Sequence, residues 1–337
     1  MAASSSFSSS SSSRGFPTLA SLCADKFYQS QASAVDPFRL KHLALCTSFV
    51  QSILARKLSA LPKDLSNNNY CIFTTGSDGR HEKLSDLESP VELVVYSSGN
   101  LDESLVLKLQ EFVKGKPDFF ERIESKDKSS KLCETLGRII PTRGLHSKFL
   151  AGNKDEYESY LRALILEIKN MSTKAYALFK KDFVRYYISL LNNCNLNQQT
   201  DAVDLRRGVI FFDGKNFKKK ATKSCHLRSI QYKLDKVICD HIRNNSEKDT
   251  FEFLTNTPSN INDLLDYLFA KKLLSKISFA EKELLKKAYN LSLMYLHIAQ
   301  NLYVAMQRSI EIRLDETQQK ELQDNFNATY QILQNIQ

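Results

Sequence analysis

Apolar and polar positions change period along this chain. Tyr70-Cys-Ile-Phe-Thr-Thr75 is a short, nearly continuous apolar run that stops at Gly76, and Val91 to Tyr96 is a second. Runs of this length, rich in β-branched and aromatic residues, predict buried strands. From residue 153 on the period lengthens. Leu161, Leu164, Ile165 and Ile168 recur at helical spacing, as do Tyr176, Phe179, Phe183, Tyr187 and Leu190, and such stripes predict core rather than a base-binding surface. Ser278-Phe-Ala-Glu281 has the form of a capping box, in which a serine hydroxyl and a glutamate carboxylate each accept from the other's backbone N–H. It opens a helix whose predicted buried stripe is Leu284, Leu285, Ala288, Leu291, Tyr295, Ile298 and Leu302, and Asp315-Glu-Thr-Gln318 opens another. Residues 193–217, rich in Asn, Gln and Asp and containing Gly208 and Gly214, predict a connecting loop with one short strand at Val209 to Phe212. No internal repeat is present.

These elements predict an α+β protein, with a small mixed sheet and flanking helices over residues 36–152 and an α-helical bundle over 153–337. A length of 337 residues suggests about two domains, and the 42% apolar fraction is enough for real cores. Residues 1–35 stand apart, with nine serines between positions 4 and 13 and little charge, a composition that predicts disorder. They lack the basic start and apolar centre of a secretory signal. No run approaches the ~18 apolar residues that a membrane crossing needs. Seven scattered cysteines with no close pair argue against a disulfide framework or a zinc site, and point to a reducing cytosol, that of the source organism or of a host cell. The Ser-rich leader and the low-glycine, cysteine-bearing composition suit a protein exported by a specialised secretion system.

The chemistry concentrates between the two apolar runs. At Gly76 a residue without Cβ lets backbone approach a phosphate closely, and Ser77 and the exposed amides around Gly79 can bind phosphate oxygens. Asp86 and Glu88 alternate around Leu87 just before the second run, so strand periodicity puts both carboxylates on one face. Two such carboxylates can hold Mg²⁺ or Mn²⁺, which would orient a triphosphate, activate an attacking oxygen and stabilise pyrophosphate as it leaves. Arg80 and Lys83 in the same loop can neutralise phosphate charge. Glu92 shares the face of Asp86 and Glu88 by period two. Glu121, Glu124 and Glu134 rank behind it as the third carboxylate, because their strand register is not set by the sequence.

The Gly76-Ser77 pair, a spacer and an acidic-x-acidic pair resemble the signature of the nucleotidyltransferase superfamily. Gly76-Ser-Asp-Gly-Arg-His-Glu82 followed by Ser85-Asp86 is similar, more narrowly, to the protein P-II uridylyltransferase family and related nucleotidyltransferases. Three later segments agree in order and spacing. Pro141-Thr-Arg-Gly-Leu-His-Ser-Lys-Phe-Leu-Ala-Gly152 resembles the segment that ends the family's catalytic domain, and Cys225-His-Leu-Arg-Ser-Ile-Gln231 resembles its Gly-Gly-Leu-Arg-Asp-Ile-Gln element. Ile277-Ser-Phe-Ala-Glu281 through Arg313-Leu-Asp-Glu316 resembles its closing helical pair. The resemblance implies a nucleotidyltransferase-fold domain followed by a helical bundle that closes one side of the nucleotide cleft, with Asp86 and Glu88 on the metal and a third carboxylate from a later strand; Glu92, by its period, is the catalytic candidate beside them, and the third ligand stays open. Gly76, Ser77, Gly79, Arg80, Lys83 and Arg228 would bind the nucleotide. It further implies transfer of a nucleotidyl group to a hydroxyl, with a protein tyrosine as acceptor. The phosphohydrolase and ligand-sensing domains of the full enzyme do not follow in this chain, so nucleotide removal and glutamine sensing are not expected of it. The chain departs from the family pattern at Glu88, which stands for Asp, at Cys225-His226 for Gly-Gly, at Ser229 for Asp, and in having no Asp at the third carboxylate position.

Charge leaves other readings open. The formal net charge is +9, and between Lys215 and Arg243 nine Lys or Arg face only Asp235 and Asp240. Such a stretch suits contact with triphosphate, an acidic protein or nucleic acid, or is simply a solvated helix face. Lys218, Lys219, Lys220 and Lys223 are its phosphate-contact candidates, and no interleaved aromatics mark a single-strand nucleic-acid surface. His81 in the phosphate loop can bind phosphate or be an ordinary solvated side chain, and His226 can pack between domains. Two alternatives to catalysis on protein therefore stand. One is a catalytically silent module of the same fold that binds a nucleotide or partner, in keeping with Glu88 and the missing third Asp. The other is nucleotide addition to RNA, resting on the basic stretch alone.

Overall fold

The computed structural model describes residues 69–80, 91–99, 103–115, 120–127, 142–177, 226–306, 310–313 and 316–336, with short pieces at 130, 132, 134–135, 138–139, 203–204 and 209–212. The fold is mixed α+β, a small mixed sheet within a mostly helical protein. The Ser-rich leader, Lys83, Asp86, Glu88, the 218–223 lysines and the Phe179 to Leu190 stripe lie outside the described residues.

Four strands form the main sheet: β1 (Cys71–Thr74), β2 (Val91–Ser97), β3 (Phe120–Asp127) and β6 (Lys148–Gly152), in the order β3-β2-β1-β6. β1 runs antiparallel to β2 and β6, while β2 and β3 are parallel. A parallel pair needs a crossover, which here contains α2 (Glu103–Lys114), and a two-residue hairpin of β4 (Glu134–Thr135) and β5 (Arg138–Ile139) follows. The apolar runs are continuous because β1 and β2 are covered on both faces, as central strands must be. Tyr70, Ile72, Leu93 and Val95 pack with Leu109 and Val113 of α2. Cys71, Phe73, Val94 and Tyr96 turn the other way and join Tyr160, Leu161, Leu164 and Ile165 of α4 (Lys154–Asn170). The predicted Leu161-Leu164-Ile165-Ile168 stripe is thus core. Asn153 caps α4, its side chain accepting from the Asp155 amide at 2.8 Å.

The helices beyond are α5 (His226–Asn244), α6 (Glu247–Thr255), α7 (Ile261–Ala270), α8 (Phe279–Met306) and α9 (Glu316–Asn335). α5 buries Leu227, Ile230, Leu234, Ile238 and Ile242, an i, i+3, i+7 series that makes one stripe. The predicted capping box starts α8: Ser278 N–H donates to Glu281 Oε2 at 2.7 Å and Glu281 N–H to Ser278 Oγ at 3.2 Å. Of the predicted stripe of α8, Leu285, Ala288 and Leu291 are buried, as are Tyr289 and Leu293, while Leu284 is exposed; the side chains of Tyr295, Ile298 and Leu302 lie outside those described. The first turn packs inward through Lys282, whose ammonium lies 2.5 Å from Asp266 Oδ1 and 4.5 Å from the Phe279 ring centre. That sets the buried face on 282, 285, 289 and 293.

The expected strand at Val209 to Phe212 is present as β8 (Val209–Phe212), but it is not alone. It pairs with β7 (Val203–Asp204) on one side and β9 (Ile310–Arg313) on the other, both antiparallel. The helical part therefore carries a three-stranded sheet that ties Val203–Asp204 and Val209–Phe212 to Ile310–Arg313, between α8 and α9. One buried cluster extends from Phe73 of β1 to Ile336 beyond α9, across the position at 152/153 where the sheet gives way to helices. Cys71 and Cys239 are buried and unbridged. Among the described residues no helix is long and apolar enough to cross a membrane.

Burial on α5 pushes the Lys233 ammonium from its ordinary value of 10.5 down to about 8, with Lys236 adding to the effect and Asp240 opposing it. Between those two values the folded chain binds fewer protons than the unfolded one, so stability rises with pH through that window, and below it the charged form is a net cost. Lys233→Met is accordingly expected to raise the unfolding free energy at pH 7 by about 1–3 kcal/mol. That advantage over wild type should shrink as pH climbs from 8 toward 10.5. Paired urea melts across the range measure it, and a pH-independent gain would contradict the assignment.

Candidate functional site

β1 delivers its chain to a single tight turn, α1 (Gly76–Gly79). Thr74 and Thr75 are buried at the strand end, and the turn closes through backbone bonds from Gly79 N–H to Thr75 O and from Arg80 N–H to Gly76 O, at 3.3 and 3.0 Å. Its two glycines are needed for different reasons. Gly76 has φ +63°, a left-handed conformation open to glycine at little cost, and among the described residues, its chain neighbours aside, no atom lies within 4 Å of where a Cβ would stand. Gly79 is crowded instead: a Cβ there would meet the His146 carbonyl oxygen at 1.7 Å. Gly79, expected to serve the nucleotide, is thus also the point where two backbones touch. Arg80, expected in an open loop, is buried at 6% exposure.

The segment that meets the turn is α3 (Thr142–Leu145) with His146 and Ser147, which leads directly into β6. It is wedged in place. A Cβ on Gly144 would come within 2.8 Å of the Tyr160 hydroxyl and 3.0 Å of Leu164, so α3 lies close against α4. The Tyr157 hydroxyl donates to the Ser147 carbonyl at 3.0 Å and lies 2.9 Å from Ser147 Oγ. Gly152, at φ +90°, ends β6 where a Cβ would come 2.5 Å from the Tyr70 carbonyl. Lys148 stands opposite Thr74 in the β1–β6 register, next to the turn, with its ammonium pushed below the ordinary lysine range by burial.

α5 completes the arrangement. His146 Nε2 lies 2.7 Å from Asp235 Oδ1, with the two side chains 1% and 0% exposed. Three segments singled out in the sequence therefore converge: the Gly76–Gly79 turn rests on His146, and His146 is bonded to the helix that begins at His226 and carries Arg228 in its first turn. Leu227, Ser229 and Ile230 of that element are buried. Sequence reasoning counted Asp235 only as a counter-charge in a basic stretch. The signal that marks it is its setting, a single carboxylate flanked by Leu234, Val237, Ile238 and Cys239, all of them buried.

The other expected residues are placed as follows. Glu92 lies in β2, in register with Arg122 of β3. Glu124 is on β3 and pairs with Lys126 at 3.2 Å, while Glu121 and Glu134 lie in β3 and β4. Asp86 and Glu88, the expected metal ligands, fall outside the described residues, among which no group of three or more His, Cys, Asp or Glu is arranged to hold a metal. Several cations of the basic stretch have partners within the fold. Lys236 pairs with Asp240 at 2.6 Å, and the Arg243 guanidinium donates to the Ile168 and Met171 carbonyls, both at 2.9 Å, while stacking 4.5 Å from the centre of the Tyr176 ring. Arg243 thereby closes the C-terminal end of α4. No protein-family model and no curated protein matches the chain.

Because the Gly79 contact is backbone against backbone, it has little room to relax. Gly79→Ala is expected to destabilise the fold by about 1–3 kcal/mol through overpacking. Gly99→Ala, whose Cβ would come no nearer than 3.6 Å to Ser97 Oγ, should change stability little. Thermal melts of the two variants side by side measure the difference.

Proposed function

We propose that this protein is a metal-dependent nucleotidyltransferase that moves a nucleoside monophosphate from a nucleoside triphosphate to a hydroxyl, with a protein side chain as the acceptor. What supports the reading is the packing of the Gly76–Gly79 turn, the 142–147 segment and α5 on one another, since these are the stretches that the resemblance marks out. In the reaction the acceptor oxygen attacks the α-phosphorus, the bond from that phosphorus to the bridging oxygen breaks, pyrophosphate leaves and the hydroxyl proton is released. Gly76, Ser77 and Gly79 would bind the outer phosphates through backbone amides and the hydroxyl. The left-handed Gly76, with open space beside it, suits backbone approach to an anion. Arg228, in the first turn of α5, is assigned to the nucleotide. Asp86 and Glu88 would hold Mg²⁺ or Mn²⁺, with Glu92 as the third carboxylate, and the ion when bound would neutralise the charge that develops on the phosphates. Lys236 and Arg243 spend their charge on Asp240 and on the end of α4, which favours a protein acceptor over RNA for this surface.

Incubating the purified chain with each α-labelled nucleoside triphosphate, Mg²⁺ or Mn²⁺ and cell lysate tests the proposal. Metal-dependent label on a protein band is expected, and it should vanish in the Asp86→Ala/Glu88→Ala variant. Label on RNA would transfer the activity to the nucleic-acid reading. No label with any nucleotide, in lysates of both source and candidate host, would leave a binding module of the same fold.

A further inference from the structure

The His146–Asp235 pair is costly as a device for stability. Both side chains are buried, and among the described residues only one polar side-chain atom of each is engaged. His146 Nδ1 and Asp235 Oδ2 have no hydrogen-bond partner among the described residues. Desolvating an imidazole and a carboxyl group is expensive when part of their bonding capacity goes unused. Apolar residues of similar volume often serve as well or better at such a site. What a hydrogen bond offers that apolar packing does not is direction, because it weakens steeply as its angle departs from linear. Direction matters at His146, since its carbonyl oxygen is the surface on which Gly79 rests. Fixing the imidazole from α5 fixes the backbone that sets the height of the turn.

We infer that Asp235 is a positioning residue for nucleotide binding: through His146 it holds the Gly76–Gly79 turn in register with α5, so that the turn and Arg228 address one triphosphate. The inference rests on the reading of that turn as the phosphate site. Asp235 touches neither the turn nor the reacting atoms in this scheme. Its effect passes through one hydrogen bond and one backbone contact.

Two variants of the full chain separate positioning from stability. Asp235→Asn weakens the bond to His146, and the double variant His146→Met/Asp235→Ala replaces the pair by apolar groups of similar total volume. Each is compared with wild type for its unfolding midpoint, for binding of Mg²⁺-ATP and Mg²⁺-UTP by calorimetry, and for amide hydrogen exchange at Gly76–Arg80. The double variant should match or exceed the midpoint of Asp235→Asn. In both variants nucleotide affinity is expected to fall by about tenfold or more, with faster exchange across the turn. Should Asp235→Asn fail to fold, the double variant carries the test. Recovery of wild-type affinity and exchange together with stability in the double variant would reduce the pair to a structural role and overturn the inference. If wild-type protein binds neither nucleotide, the reading of the site fails, and exchange at Gly76–Arg80 alone then decides whether Asp235 controls the turn.

Discussion

The buried hydrogen bond between His146 and Asp235 joins the 142–147 segment, on which the Gly76–Gly79 turn rests, to α5 of the helical half. The rest of the site is built around it. The chain from Thr142 to Gly152 passes between three partners, and at each it comes too close for a side chain: α4 at Gly144, the turn at Gly79, and the Tyr70 carbonyl at Gly152. Close backbone approach of this kind sets distance but leaves rotation about the contact free. The hydrogen bond supplies the missing constraint, because a carboxylate oxygen on α5 and an imidazole nitrogen on the crossing segment meet well in few orientations.

The two halves also share their core. α4 presents Tyr160 and Leu164 to the underside of β1 and β2, with Phe73 and Tyr160 ring centres 4.3 Å apart, while Arg243 of α5 closes its C-terminal end. One helix is thus packed on by the sheet and held by the bundle. Separating the halves would uncover aromatic surface on both sides, and aromatic side chains carry a large share of core energetics. The Gly76–Gly79 turn consequently sits on a base that belongs to both halves.

What could be read from the sequence divides along physical lines. β1, β2, α4 and the start of α8 were legible because each depends on local pattern: a continuous apolar run, a 3.6 period, or reciprocal Ser278 and Glu281 bonds. β7 and β9 were not, since two- and four-residue strands offer too short a pattern to stand out, although Ile310 and Ile312 do alternate. Leu284 was misread because the inward face of the first turn of α8 is set by Lys282 reaching Asp266, a tertiary contact that polarity alone argues against. The glycines illustrate the same boundary. The sequence shows that position 79 is a glycine, but that a side chain is excluded there, and by the His146 carbonyl, is decided by a residue 67 positions away. Asp235 was lost for a related reason, because a charge tally treats a carboxylate as solvated and only the packing reveals that it is buried.

For the proposed reaction these constraints bear on Glu88. A glutamate carries its carboxylate about 1.5 Å farther from the backbone than an aspartate does, and misplacing a reacting group by about 1 Å can cost 10²-fold in rate. A metal held by one aspartate and one glutamate is chemically ordinary, since both are oxygen donors to Mg²⁺. The demand it makes is geometric: the extra methylene has to be matched by the position of the phosphates relative to the metal. In the proposed site that position would be set by the turn after β1, which rests on the His146 carbonyl. Under the proposed function, a glutamate in the metal pair and a directional bond from α5 beneath the turn would be complementary requirements. In the proposed site the longer side chain would make the geometry less tolerant of a turn that drifts, and preventing that drift is the role inferred for the buried pair.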